Sequence, residues 1–232
     1  FIVFVPILTM RVLAEERKQK TDQLLLTLPL KISDIVLGKY LALVTLYAVP
    51  MLVICSYPLI LSRYGTINMA VAYLSILGFF LLGCANMAIG LFFSSLTDNP
   101  VIAAVMGFGL LLICFLMDTL SGMVPNTAIA SFISFTVLVL LLAAVVYNMT
   151  HNVKATAIVA AGVEIVLAVI YAVRAPILEG TFPRFLSVFY MNGRLTSFFD
   201  GILDISGIVY YVSIAAVALF LAMQTIVKRR WN

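Results

Sequence analysis

The sequence predicts an all-α fold, a polytopic bundle of transmembrane helices. Of its 232 residues, 64% are hydrophobic and 10% are charged, and the mean hydropathy is +1.17. Soluble globular domains are about 45–50% apolar and about 25% charged, so this chain has too few charges to cover a water-facing surface. The composition therefore excludes a soluble enzyme, and also a disordered chain, a coiled coil or a disulfide scaffold.

Six apolar stretches are each long enough to cross a bilayer as a helix, which takes about 20 residues. A multi-span chain without alternating polarity crosses lipid as helices, because only there are all backbone groups bonded within the segment. Turn-forming sequences such as Thr97-Asp98-Asn99-Pro100 separate the stretches. The stretches lie at residues 35–61, 69–93, 101–123, 128–148, 155–174 and 206–227.

The chain opens on a shorter apolar run, FIVFVPILTM, which is half the length of a span. It has neither the basic start nor the small-residue cleavage site of a signal peptide. We interpret it as the end of a span whose beginning precedes Phe1. The prediction is a single transmembrane domain over residues 1–232, with about seven spans visible and eight in the full chain.

Lysine and arginine orient the predicted bundle. If the first break is cytoplasmic, four of the 14 basic residues face outward, namely Arg63, Arg174, Arg184 and Arg194, and the other ten face the cytoplasm. Cytoplasmic loops carry the excess of positive charge. Segment 11–34 and the C terminus are therefore predicted to be cytoplasmic, and segment 176–205 extracellular.

Segment 11–34, which we call the elbow, contains a charged stretch followed by an apolar one. Six charged residues lie within positions 15–22, and leucines at 24, 25, 26 and 28 follow before Pro29 ends the pattern. Such a helix places its charged half in water and its leucines on the membrane surface or on a partner. Two interpretations stay open on these residues alone: a solvated loop helix with snorkelling basic side chains, or a docking helix for a soluble protein.

The elbow sequence, PILTMRVLAEERKQKTDQLLLTLPLKISDIVLGKYLA, closely resembles the first cytoplasmic loop of ABC-2 type transporter permeases. It is most similar to the gliding-motility-associated (GldF-like) subfamily, with its EER…TDQLLLT-P…IVLGK pattern. Residues 81–104 look like the following span and second cytoplasmic turn of that family, and residues 198–231 look like its closing region. Spans 128–148 and 155–174 are additional to the family's usual six-span core.

The resemblance implies the membrane half of an ATP-binding cassette exporter with the type V architecture, in a bacterial cell membrane. Two copies, or this chain and a homologous permease, would face each other, and each would bind an ATPase subunit. An auxiliary membrane subunit would be a further partner, and no nucleic acid is expected to bind. ATP and Mg²⁺ would bind to the ATPase, because this chain has no GxxxxGK[ST] phosphate-binding loop. The chain is accordingly predicted to be a transporter subunit and not an enzyme.

The same resemblance assigns the elbow as the coupling helix on the ATPase subunit and the turn at 94–99 as a smaller second contact. The residues so assigned are Glu15, Glu16, Arg17, Lys20, Thr21, Asp22, Leu24, Leu25, Ser95 and Asp98. Relatives often have Gly-Thr where this chain has Thr21-Asp22, so a less sharply turned backbone is expected there.

Three polar residues within apolar stretches are candidates for a translocation pathway. A charged Glu164 near the middle of a span costs roughly 2.5–3.5 kcal/mol, so it must be protonated or paired with another helix. Interhelical hydrogen bonding and a substrate or proton contact are both open for it. Asn86 either forms a hydrogen bond between helices or lines the pathway. Asp118 lies toward the outer end of its span.

The outer segment is rich in aromatic residues, which favour the headgroup level and suggest an interfacial or re-entrant hairpin. In the resembled family this region is an extracellular gate, which makes Phe189, Tyr190, Phe198 and Phe199 gate candidates. No metal site is predicted, since His151 is the only histidine and the three cysteines are far apart. The alternatives to an exporter are a secondary transporter that uses Glu164 and a membrane scaffold subunit.

Overall fold

The computed structural model describes residues 1–21, 31–150 and 153–230, with the side chains of 142, 144–159, 175, 229 and 230 excepted. Every regular element in these ranges is a helix, which confirms the all-α prediction. The helices are α1 (Phe4–Lys18), α2 (Ile32–Leu61), α3 (Met69–Leu96), α4 (Pro100–Met123), α5 (Ala128–Thr150), α6 (Val153–Leu178), α7 (Thr181–Val188), α8 (Leu195–Phe199) and α9 (Ile205–Arg230), with a 3₁₀ turn at Met191–Arg194.

Four of the described helices, α2, α3, α4 and α9, are long and apolar enough to cross a membrane. A bent pair, Ala160–Arg174 with Pro176–Val188, adds a fifth if it is counted as one broken span. The apolar part of α5 is described over Ala128–Leu141. The chain is therefore a multi-pass membrane protein, while the count of seven spans stays a prediction.

The described chain forms two compact units, Phe1–Phe115 with Met191–Asn232, and Leu116–Tyr190. In the first unit α3 is central and packs against α1, α2, α8 and α9. Large apolar side chains on the outer face of α2, such as Leu41 and Leu52, are more than half exposed, as expected of a helix that faces lipid or another subunit.

Glycines on α3 allow this close packing. The ring of Tyr47 on α2 lies over Gly83, and Thr9 on α1 lies over Gly90. Because lipid tails are as apolar as the side chains, helices in a bilayer associate by such tight contacts more than by the hydrophobic effect. Both contacts lie on the face of α3 that carries Gly83, Met87, Gly90 and Ser94.

The second unit is an antiparallel pair of helices, α5 and α6, with α7 against α5. The rings of Phe132 and Tyr171 lie 5.2 Å apart, and Phe135 meets Phe182 of α7 at 5.0 Å. The helical course of α6 breaks at Arg174, whose φ and ψ are −145° and 62°. Pro176 explains the break, because proline cannot donate the helical hydrogen bond and clashes with the preceding turn.

Candidate functional site

The C-terminal ends of α1 and α3 and the N-terminal end of α2 meet at one end of the first unit. The charged half of the elbow does not begin a new helix at Arg11, since α1 runs without interruption from Phe4 to Lys18. Charged and hydroxyl side chains from all three helices make contacts here within the last turns of α1.

Ser94 joins α3 to the backbone of α1. Its fully buried hydroxyl accepts hydrogen bonds from the backbone N–H groups of Leu13 and Ala14, both at 3.0 Å, and donates to the carbonyl of Met10 at 3.0 Å. A buried hydroxyl needs such partners. The neighbouring Ser95 is equally buried, but its hydroxyl donates within α3, to Phe92 O at 2.6 Å.

Lys39 joins α2 to the same turn of α1. Its ammonium group donates to the carbonyl of Val12 at 2.9 Å and forms an ion pair with the carboxylate of Glu16. Only 17% of the Lys39 side chain is exposed. Hydrogen bonds with a charged donor are about twice as strong as neutral ones, so this contact fixes α2 to α1.

Arg17 turns inward, to the turn after α3. Its side chain is 6% exposed and its guanidinium lies 3.9 Å from the carboxylate of Asp98, which is 63% exposed. The same turn begins α4, because Asn99 Oδ1 accepts a hydrogen bond from Val101 N at 3.0 Å. The two segments assigned to one partner are thus adjacent in the structure.

The outer surface of this site carries the remaining charges. Lys20 and Thr21 are exposed, and Glu15 is half-buried and accepts a hydrogen bond from the Gln19 side chain at 3.1 Å. Lys20 has a positive φ of 59° directly after α1, a conformation uncommon for a residue other than glycine. Asp22, Leu24 and Leu25 lie outside the described residues.

A sequence model of the family described as "ABC-2 family transporter protein" matches residues 1–173. The chain belongs to this family. The match includes α1 to α5 and most of α6, and therefore the whole of the site formed by α1, α2 and α3. No curated protein and no solved structure matches the chain.

Membership makes this ABC-2 protein a membrane permease, the membrane component of a transporter. It also implies an ATP-binding cassette ATPase as the partner of such a component. The span-length helices agree with this function.

The pathway candidates of the permease lie in different environments. Asn86 is 5% exposed in the middle of α3, in the first unit. Asp118 is exposed near the C-terminal end of α4, and Glu164 lies half-buried on α6, both in the second unit.

Glu164 is paired across the hairpin of the second unit. The hydroxyl of Thr136 on α5 donates to Glu164 Oε2 at 3.1 Å, and Glu164 Oε1 is buried without a hydrogen bond among the described residues. The contact fits the interhelical role, one of the two that were open for this residue.

We expect Thr136 and Glu164 to be energetically coupled. In a double-mutant cycle of Thr136→Val and Glu164→Gln, unfolding of the purified permease in mixed micelles should show a coupling of about 0.6 kcal/mol, and at most about 1.7 kcal/mol. Additive single effects would contradict the interhelical role.

The four gate candidates also differ in burial. Phe189 is 45% exposed and its ring lies 5.3 Å from that of Phe185, at the end of the second unit where Tyr190 follows. Phe199, in the first unit, is 51% exposed, whereas Phe198 beside it is completely buried.

Sequence reasoning missed Lys39 and Ser94 as members of the site. Both were visible: Lys39 ends the IVLGK part of the motif, and Ser94 begins the second turn. What was missing was the contact itself, which joins residues far apart in the sequence.

Proposed function

We propose that this chain is the permease subunit of an ATP-binding cassette exporter and that a separate ATPase subunit drives it through the elbow. The supporting observation is that the part of the elbow at the C-terminal end of α1 lies next to the turn after α3. Arg17 and Asp98 join the two segments. A single soluble partner can contact both segments at once.

The proposed docking surface consists of the exposed side of this end. Glu15, Lys20 and Thr21 with the exposed carboxylate of Asp98 form its polar contacts. Asp22, Leu24 and Leu25, which lie outside the described residues, are proposed as further contacts on the basis of the resemblance alone. Glu16, Arg17 and Ser95 support it from inside, since Arg17 and Ser95 are buried and Glu16 pairs with Lys39. ATP and Mg²⁺ belong to the ATPase.

The proposal extends to the assembly. Two copies of the chain, or this chain and a homologous permease, form the complex in a bacterial cell membrane, with the elbow and the C terminus in the cytoplasm. The GldF-like pattern of the elbow favours that subfamily and an auxiliary membrane subunit. Asn86, Asp118 and Glu164 are proposed to line the pathway. Phe189, Tyr190 and Phe199 are proposed to face its outer gate, and the buried Phe198 to support the gate from inside.

Exchanging two charges on the docking surface should release the ATPase. The variant Glu15→Lys/Lys20→Glu leaves the net charge unchanged. Each new side chain, however, faces a group of like charge on the ATPase, and this repulsion lowers the affinity. We expect the ATPase activity that copurifies with the permease from native membranes to fall at least about tenfold, corresponding to about 1.4 kcal/mol.

A control is Asp200→Lys, a charge reversal at an exposed position in the loop before α9, which should retain the ATPase. A photo-crosslinking residue at position 20 should capture an ATP-hydrolysing protein, and one at position 200 should not. Capture at neither position, with no copurifying ATPase activity, would refute the proposal.

A further inference from the structure

We infer that Ser94, Lys39 and Arg17 are positioning residues that lock the elbow end of α1 to α2 and α3, so that a movement imposed on the elbow is delivered to α3. We call Ser94, Lys39 and the Arg17–Asp98 pair the brace. The inference rests on the proposed function, since it concerns how the ATPase moves the permease.

The brace holds α1 by its backbone. Ser94 contacts the N–H groups of Leu13 and Ala14 and the carbonyl of Met10, and Lys39 contacts the carbonyl of Val12. Rotation of the side chains of α1 itself therefore cannot break these contacts. Sliding or turning of α1 against α3 would separate the buried Ser94 hydroxyl from its hydrogen-bond partners, which is costly.

The brace adjoins the proposed docking surface, and Asp98 belongs to both. Its contacts fall between Met10 and Arg17 of α1, about 10 Å along the helix, and the exposed Lys20 and Thr21 follow at once. Glu16 and Arg17 belong to the same stretch of charges, but both are engaged with other parts of the first unit, Glu16 with Lys39 on α2 and Arg17 with Asp98 in the turn after α3.

The helix that receives the movement is α3, because most contacts of α1 are made with it. One turn above Ser94, Thr9 lies against Gly90 with no space for a Cβ atom between them. Since α3 is the central helix of the first unit, its displacement is passed to α2, α8 and α9. Residues 10–17 of α1 and the turn after α3 consequently act as one rigid coupling element.

The test measures movement of the end of α3 that is farthest from the brace. It does not require the transported substrate to be known. Ala70 is exposed in the first turn of α3, about 36 Å along the helix from Ser94. In the assembled complex with its native ATPase, with Cys55, Cys84 and Cys114 replaced by alanine, Ala70→Cys is labelled with a membrane-impermeant maleimide. Labelling rates are compared without nucleotide and after trapping with Mg²⁺-ATP and orthovanadate.

With the brace intact, trapping should change the labelling rate at least threefold. Ser94→Ala should reduce this change to less than 1.5-fold while ATP hydrolysis stays within twofold. Ser213→Ala is the control, because the Ser213 hydroxyl donates within its own helix, α9, to Val209 O at 2.6 Å and lies outside the docking surface, and it should keep the change. Lys39→Met should behave as Ser94→Ala, and Lys39→Arg, which retains the charge, should restore part of the change.

The outcomes separate the two proposals. If trapping changes labelling in the unaltered complex and equally in Ser94→Ala and Lys39→Met, the brace is refuted and the ATPase-driven permease stands. If no ATPase assembles with the chain, both proposals are refuted. If the ATPase assembles but trapping leaves the labelling at position 70 unchanged in the unaltered complex, the brace is refuted and the proposed function stands. If the Ser94→Ala complex does not assemble, the two Lys39 variants test the brace. A smaller labelling change in Lys39→Met than in Lys39→Arg supports it, and equal changes in both refute it.

Discussion

Replacing Phe198 with alanine should destabilise the first unit by about 3–5 kcal/mol, the usual cost of removing a buried phenylalanine side chain and leaving a cavity. Phe198 is completely buried on the short helix α8. A Cβ atom on Gly78 of α3 would lie 2.8 Å from its ring, and one on Gly207 of α9 would lie 3.0 Å from it. The two glycines thus form a close-fitting slot for the ring, which ties α8 to both helices.

The adjacent Phe199 provides the control for this prediction. It belongs to the same helix but is 51% exposed, so Phe199→Ala should change stability by less than about 0.5 kcal/mol. Denaturant unfolding of both variants in mixed micelles measures the difference. Equal stabilities would show that the slot does not hold the ring, whereas loss of transport in a stable Phe199→Ala variant would fit the proposed gate.

Hydropathy predicted the helices closely because it depends on the bilayer more than on tertiary contacts. The predicted stretch 69–93 corresponds to α3, Met69–Leu96, and 101–123 to α4, Pro100–Met123. The end predicted at 174 coincides with the break at Arg174, where Pro176 acts locally. Each of these features is set by residues within a turn or two of the boundary.

The candidate site was only partly predictable, because charge and motif say which segment matters but not which way a side chain points. Arg17 stands in a run of charged residues that suggests a solvated surface, yet it is 9% exposed and faces Asp98. Phe198 and Phe199 are identical in type and adjacent in sequence, and only the packing of α8 between two glycines separates them. Both distinctions depend on contacts between helices distant in sequence.

Replacing Gly90 with leucine should separate α1 from α3 and destabilise the first unit by about 3 kcal/mol, the upper end of the usual cost of overpacking. Even a Cβ atom at position 90 would lie 2.9 Å from Thr9 Cβ and still closer to its hydroxyl oxygen. Ser94 is one helical turn away, so the displacement of α1 would also break the hydrogen bonds to Leu13 and Ala14. The variant should therefore lose stability and nucleotide-dependent movement of α3 together.

Gly109→Leu is the matched control, since no heavy atom lies within 4 Å of a Cβ atom at that position of α4. At that position leucine should stabilise the helix by up to about 1 kcal/mol through its higher helix propensity, and its Cβ atom meets no neighbouring atom. Adding Thr9→Gly to Gly90→Leu should recover part of the lost stability, because it removes the atoms that the new side chain meets. If Gly90→Leu unfolds at the same denaturant concentration as Gly109→Leu, α1 is not packed against α3 at Gly90, and the brace one turn below loses its physical basis.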